Sequence, residues 1–283
     1  MNKAKIEKQV DGTIKLTISI TKKEIEAVRK VIVSEFAKNA KVDGFRKGNA
    51  PESLVKEKID NEKVREEILK KLLPQTYSQA VQDNNIKPII NPKIHIEKID
   101  EDKDWEFVAL TCEMPNVDLG TYKENVKKIT AKGRIIVPGK DLPAGQAGQK
   151  KPENAEIVKA VLESVKIKIP GILIEQEVDR LLSQLLNDIK KLGLNLDQYL
   201  ASTNRTPENI RQEYGKRAEE DMQLEFALQK IAETEKIIIG QKEIDEAIQK
   251  AKDENERKSL EGNRYLLAAI LRQQKTLDFL LNL

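Results

Sequence analysis

The sequence predicts an α+β domain followed by an all-α domain built from long helices. Three observations carry that expectation. Ile14, Leu16, Ile18 and Ile20 alternate with polar residues near the start, the period of a half-buried strand. Strand signals return over Lys93–Ile99 and Trp105–Glu113, with helical stretches between the two strand regions. From Glu156 onward the apolar period is helical, and no strand pattern of useful length interrupts it.

Taken in order, Ile6 and the Ile14–Ile20 run flank Asp11-Gly12, which reads as a strand pair around a two-residue turn. Thr21-Lys22-Lys23-Glu24 has the form of a capping box. The helix after it places Ile25, Val28, Ile32 and Phe36 on one face. Val42–Pro51 breaks that helix with Gly44, Gly48 and Pro51, and Pro51 suits the first turn of a new helix. Residues 51–59 and 61–84 then read as helical, with Val64, Ile68, Leu72 and Leu73 buried and a kink or break at Pro74. Asp100–Asp104 forms the acidic turn between the last two strands.

The domain boundaries follow from composition. Residues 1–113 form the α+β domain, and 114–154 form an extended basic linker. Its stretch Arg134–Lys151 holds Pro138, Gly139, Pro143, Gly145 and Gly148. Residues 155–283 form the helical domain. There Ile174, Val178, Leu181, Leu182, Leu185, Leu186, Ile189 and Leu192 share one stripe, and Thr206-Pro207 opens another long helix. Ile237–Gly240 ends that helix. Two more follow, one through Ile244 and Ile248, the last through Leu267, Ile270, Leu271, Leu277 and Leu280.

Most reaction chemistries are disfavoured by inventory. The chain has 283 residues, one histidine and one cysteine. His95 lies in an alternating strand segment, and Cys112 reads as a small buried side chain rather than a nucleophile. Two such residues do not make a zinc site, so no metal is expected. No Walker A sequence offers a phosphate cradle, and no cofactor is expected. Charged residues make up 34%, above the usual quarter or so. They mix signs along helix faces, as a solvated surface does. Residues 155–283 carry 20 Lys+Arg against 23 Asp+Glu, leaving 30 against 24 in residues 1–154, out of 50 and 47. A modestly basic front half is compatible with an RNA-rich partner. No run of about eighteen apolar residues suggests a membrane span. The N-terminal residues lack a signal-peptide core, so a cytoplasmic protein is expected.

Surfaces remain as the carriers of function. Gly44-Phe45-Arg46-Lys47-Gly48 sets an aromatic beside two cations between glycines. Such a loop can insert an apolar anchor while its cations meet phosphate or carboxylate. By itself it also reads as a helix-to-helix turn whose Phe folds back into its own core.

The segment Val42–Pro51 resembles the ribosome-docking signature of trigger factor, the bacterial nascent-chain chaperone family. Pro115–Lys123 resembles that family's exit from its first domain. Ile169–Leu186 and Tyr214–Ile239 resemble helices of its C-terminal domain. The resemblance covers roughly 1–125 and 155–283. It implies that Gly44, Phe45, Arg46, Lys47 and Gly48 meet a protein and rRNA of the large ribosomal subunit at the tunnel exit. It also implies helical arms that shelter nascent or unfolded polypeptide without ATP. Ile174, Val178, Leu182, Leu267 and Leu271 are the candidates for lining those arms, with bundle packing as the competing reading. The family usually carries an FKBP-type prolyl isomerase domain between these parts, and here only the basic stretch near 124–154 stands there. The expectation is therefore a non-enzyme, with no membrane partner and a homodimer left open. A prolyl isomerase and an RNA-binding scaffold with helical arms are the alternatives.

Overall fold

A computed structural model describes residues 4–39, 60–100, 102–132 and 154–283. The chain divides into two compact units, residues 1–114 with 170–172, and residues 115–169 with 173–283.

The first unit is built on four antiparallel strands: β1 (Ala4–Lys8), β2 (Thr13–Ile20), β3 (Lys93–Lys98) and β4 (Trp105–Cys112), in the order β1-β2-β4-β3. Register puts Leu16 opposite Ala109, Ile18 opposite Phe107 and Ile20 opposite Trp105. Because side chains alternate along a strand, all six fall on one face. That face packs against α1 (Lys22–Asn39) and α2 (Asn61–Asp83) through Ile25, Ile32, Val64, Ile68 and Leu72. The capping box forms: Glu24 Oε2 accepts from the Thr21 N–H at 3.1 Å.

Two details differ from the expectation. The β1–β2 connection takes four residues, Gln9–Gly12, rather than a two-residue turn. The Asp11 carboxylate accepts from the Thr13 N–H (3.0 Å) and hydroxyl (2.8 Å), and Gly12 adopts φ +93°. This Asx-type closure delays entry into β2 until Thr13. Pro74 does not break α2. Val64, Ile68, Leu72, Thr76 and Ala80 recur every four residues as one buried stripe, so core packing outweighs the roughly 3 kcal/mol penalty of an interior proline. Thr76 Oγ1 donates to the Leu72 carbonyl at 2.8 Å within that turn.

The second unit opens with β5 (Val117–Asp118), paired antiparallel with β6 (Lys166–Ile167). Gly120 turns the chain at φ +51°, and a Cβ there would stand 2.5 Å from the Ser164 carbonyl oxygen, so only glycine fits. The stretch expected to be extended then becomes a helix, α3 (Tyr122–Lys132). Its lysines obscured a narrow stripe in which Tyr122, Val126 and Ile129 turn into a core. That core joins Ile157, Ala160 and Val161 of α4 (Asn154–Ser164) to Ala227, Leu228 and Ile231 of a later helix.

The remaining helices are α5 (Gly171–Lys191), α6 (Leu196–Thr203), α7 (Pro207–Thr234), α8 (Gln241–Gln249), α9 (Glu254–Gly262) and α10 (Arg264–Leu281). Thr206 caps α7 by accepting from the Asn209 N–H at 3.2 Å, with Pro207 at the first position as expected. Three helices follow Gly240, not two. The short polar α9 has no buried residue and left no apolar stripe to read. Its signal was the cap instead: Asp253 accepts from the Glu256 N–H, and Glu256 reaches back to the Lys252 N–H.

Candidate binding surface

Between α7 and α10 lies an open groove of about 360 Å³. Leu228 and Ala232 of α7 line it opposite Tyr265, Leu266 and Ile270 of α10, with Glu225, Gln229, Arg272 and Gln273 adding polar and charged groups. Those three are 91%, 59% and 52% exposed. Three large apolar side chains within six positions of one helix form a patch, unlike the scattered single residues common on any surface. The reason lies in α10 itself. Tyr265–Leu271 is apolar at seven consecutive positions, so no single neighbour can cover every side of that turn. Leu267 and Leu271 face α8, Thr276 and Leu280 are buried farther along, and the remainder meets solvent.

The five residues expected to line a client surface all pack against neighbouring helices. Val178 is buried with Leu181 and Ala218, and Ile174, Leu182 and Tyr214 pack around them. Leu267 is buried with Ile244 and Ile248, and Leu271 packs against that cluster. The five candidates thus divide between two packed clusters, because a helical stripe finds the side with most apolar neighbours. Leu266 and Ile270 belong to the Ile- and Leu-rich stretch 265–283 that the sequence offers for lining, but the open side chains there are these two and Tyr265 rather than Leu267 and Leu271. The signal available was the unbroken run itself, too broad for one stripe. Leu186, Leu192, Leu194 and Leu196, around the end of α5, are also solvent-facing. Gly44, Phe45, Arg46, Lys47 and Gly48 lie outside the described residues, as do residues 51–59 and Arg134–Lys151.

The two residues weighed for chemistry occupy opposite settings. His95 is exposed on β3. Cys112 is fully buried, and burial pushes its thiol up to about 11, which leaves little thiolate near neutrality. Among the described residues, no three His, Cys, Asp or Glu side chains are grouped to hold a metal. No described helix is long and apolar enough to cross a membrane.

One polar cluster ties α3 to the end of α7. The Tyr122 hydroxyl donates to Glu235 Oε1 at 2.9 Å, and Lys123 Nζ stands 2.7 Å from the same oxygen. The Lys123 hydrogen bond holds the Glu235 carboxyl below its usual range; burial opposes this and the Tyr122 bond assists it. A carboxyl depressed by folding adds stability above its unfolded value, about 4.5, and that contribution is lost as pH falls through the lower folded value. Glu235→Gln is therefore expected to flatten the acid limb of stability below about pH 4.5. Urea midpoints by circular dichroism across that range check this; an unchanged acid limb would show the cluster to be energetically silent.

The fold pairs an α+β unit with a helical unit that exposes a groove carrying an apolar patch among charged and polar side chains. The N-terminal model of the bacterial trigger factor protein matches residues 2–134, and the C-terminal model matches residues 145–282. The chain belongs to the trigger factor family. Its two matches leave only residues 135–144 between them, against about 50 residues for the smallest typical domain. The chain accordingly lacks the isomerase domain region. Trigger factor of Clostridium botulinum is 37% identical over 131 residues, 44% of this chain and 30% of that relative. Trigger factor of Ligilactobacillus salivarius is 35% identical over 116 residues, 40% of this chain and 27% of that relative. The matched stretch thus spans less than a third of either relative's length. A solved structure described as "Promiscuous Substrate Recognition in Folding and Assembly Activities of the Trigger Factor Chaperone" superposes with a TM-score of 0.62. It covers 98% of this chain and 99% of that chain at 13% identity, a likeness of fold.

Proposed function

We propose that this chain is an ATP-independent chaperone of the cytoplasm. It docks at the ribosomal tunnel exit through Gly44–Gly48 and shelters nascent or unfolded polypeptide on its helical unit. The observation that carries the sheltering role is the open groove of Tyr265, Leu266 and Ile270 over Leu228 and Ala232. Unfolded chains expose scattered apolar groups, and an open groove binds them weakly enough to release them without nucleotide. Docking would hold nascent chain at millimolar effective concentration, where weak contacts suffice. Ile174, Val178 and Leu182 serve helix packing in this reading, and on α10 the client-contacting side chains are Tyr265, Leu266 and Ile270 in place of Leu267 and Leu271. Family membership supports the ribosomal partner, and the lack of an isomerase region supports a non-enzymatic role. An Xaa-Pro peptide assay separates the isomerase alternative, since turnover there would overturn that part.

The triple change Tyr265→Ser, Leu266→Ser and Ile270→Ser is expected to weaken suppression of aggregation of a chemically unfolded model protein by roughly tenfold, about the loss of one well-packed apolar side chain's binding. Helical content should be unchanged, because all three side chains already meet solvent. Full suppression by the variant would exclude this groove as the client surface.

A further inference from the structure

We infer that α8 and α9 form a detachable lid whose opening extends the exposed apolar patch of α10. The inference deepens the client-binding reading above and rests on it for its biological use. Four features of the second unit carry it. First, the lid is held by a small cluster: Ile244 and Ile248, with Ile239, Ala247 and Leu260, against Leu267, Ala268 and Leu271. No residue of α9 is fully buried, and Leu260 alone of that helix is half-buried in the cluster. Second, both helices have nine residues, too few to persist without tertiary support. Third, the polar clasps are exposed. Lys275 Nζ reaches Glu243 Oε1 at 2.7 Å and the Ile238 carbonyl at 3.2 Å, and Arg264 pairs with Asp245. The four charged side chains are 37–48% exposed, so salt screens them. Fourth, the lid is bounded by breaks: Lys236 at φ +54° and Gly240 before α8, and Asn263 between α9 and α10.

What the lid covers gives the motion its consequence. Leu267 and Leu271 sit beside Leu266 and Ile270 in sequence and on the adjoining side of the same helix. When α8 lifts, these leucines join Tyr265, Leu266 and Ile270 in one continuous apolar surface. Elements that open locally are drawn from the least buried parts of a fold, and this hairpin is such a part.

The test labels Leu267→Cys with a thiol reagent in the full chain, reading each site by mass spectrometry. Val161→Cys, in the main core of the same unit, serves as reference. Leu267→Cys should react at least tenfold faster than Val161→Cys. Its rate should rise roughly two- to fivefold with Glu243→Gln, and again with Asp245→Asn or in about 0.5 M salt. Both substitutions keep the side-chain shape, and after Glu243→Gln that side chain can still accept from the Gly240 N–H, as Glu243 Oε2 does at 2.8 Å. Hydrogen exchange on the unsubstituted chain gives a second reading, with Gln241–Gln249 amides exchanging faster than those at the end of α7. Equal labelling of the two cysteines, or α8 amides as slow as α7 amides, would overturn the lid. Neither measurement uses a client, so its failure is distinguishable from failure of the groove in the aggregation assay.

Discussion

Changing Phe45, Arg46 and Lys47 together to alanine is expected to abolish co-sedimentation with ribosomes. The proposed contact concentrates an aromatic anchor and two cations in three consecutive residues. Anchors of this kind carry about 2 kcal/mol or more each. Removing the anchor with both charges should weaken binding on the order of a hundred- to a thousandfold, which sedimentation reads as complete loss. Phe45→Ala alone should retain a salt-sensitive remnant, because the two cations still meet phosphate. Circular dichroism and thermal melting of the triple variant should match the parent chain. Undiminished sedimentation of the triple variant would reject the docking assignment and leave the groove to be judged separately.

Phe107→Ala is expected to destabilise the first unit by about 3–5 kcal/mol. Phe107 is 2% exposed on the central strand β4, opposite Ile18 on one side and Ile96 on the other. Its ring meets the side of the sheet that α1 and α2 cover, so no rearrangement of a surface residue can fill the space left behind. The chain provides its own reporter. Trp105 is its single tryptophan, lies two residues away on the same face, and donates its indole N–H to the Asp100 carbonyl at 2.9 Å. Urea unfolding followed by tryptophan fluorescence therefore reads the first unit. The midpoint should fall sharply in the variant; a shift worth less than about 1 kcal/mol would mean that the core closes over the gap.

The legible parts of this protein share a local cause. Alternation in β2, the Thr21–Glu24 box and the Thr206-Pro207 start each depend on residues within a few positions of one another. Where a local signal was weak, the reading failed. In α3 a lysine-rich composition concealed Tyr122 and Val126, which are buried only because α4 and α7 stand beside them. Pro74 suggested a kink or break, yet a buried stripe of five residues recurring every fourth position kept α2 whole. The site shows the same limit. The sequence marked α10 as apolar and singled out Leu267 and Leu271, but those became packing residues under α8, and the open face fell to Tyr265, Leu266 and Ile270.

The sequence by itself determined the succession of an α+β unit and a helical unit, the positions of most helix starts, and the likeness to the family whose N-terminal model matches residues 2–134. Only the tertiary structure decided which apolar side chains are core and which form a surface. Periodicity says that a helix has an apolar side; coverage depends on neighbours tens or hundreds of residues away. Where α10 is apolar on more sides than α7 and α8 can bury, the uncovered remainder becomes the groove.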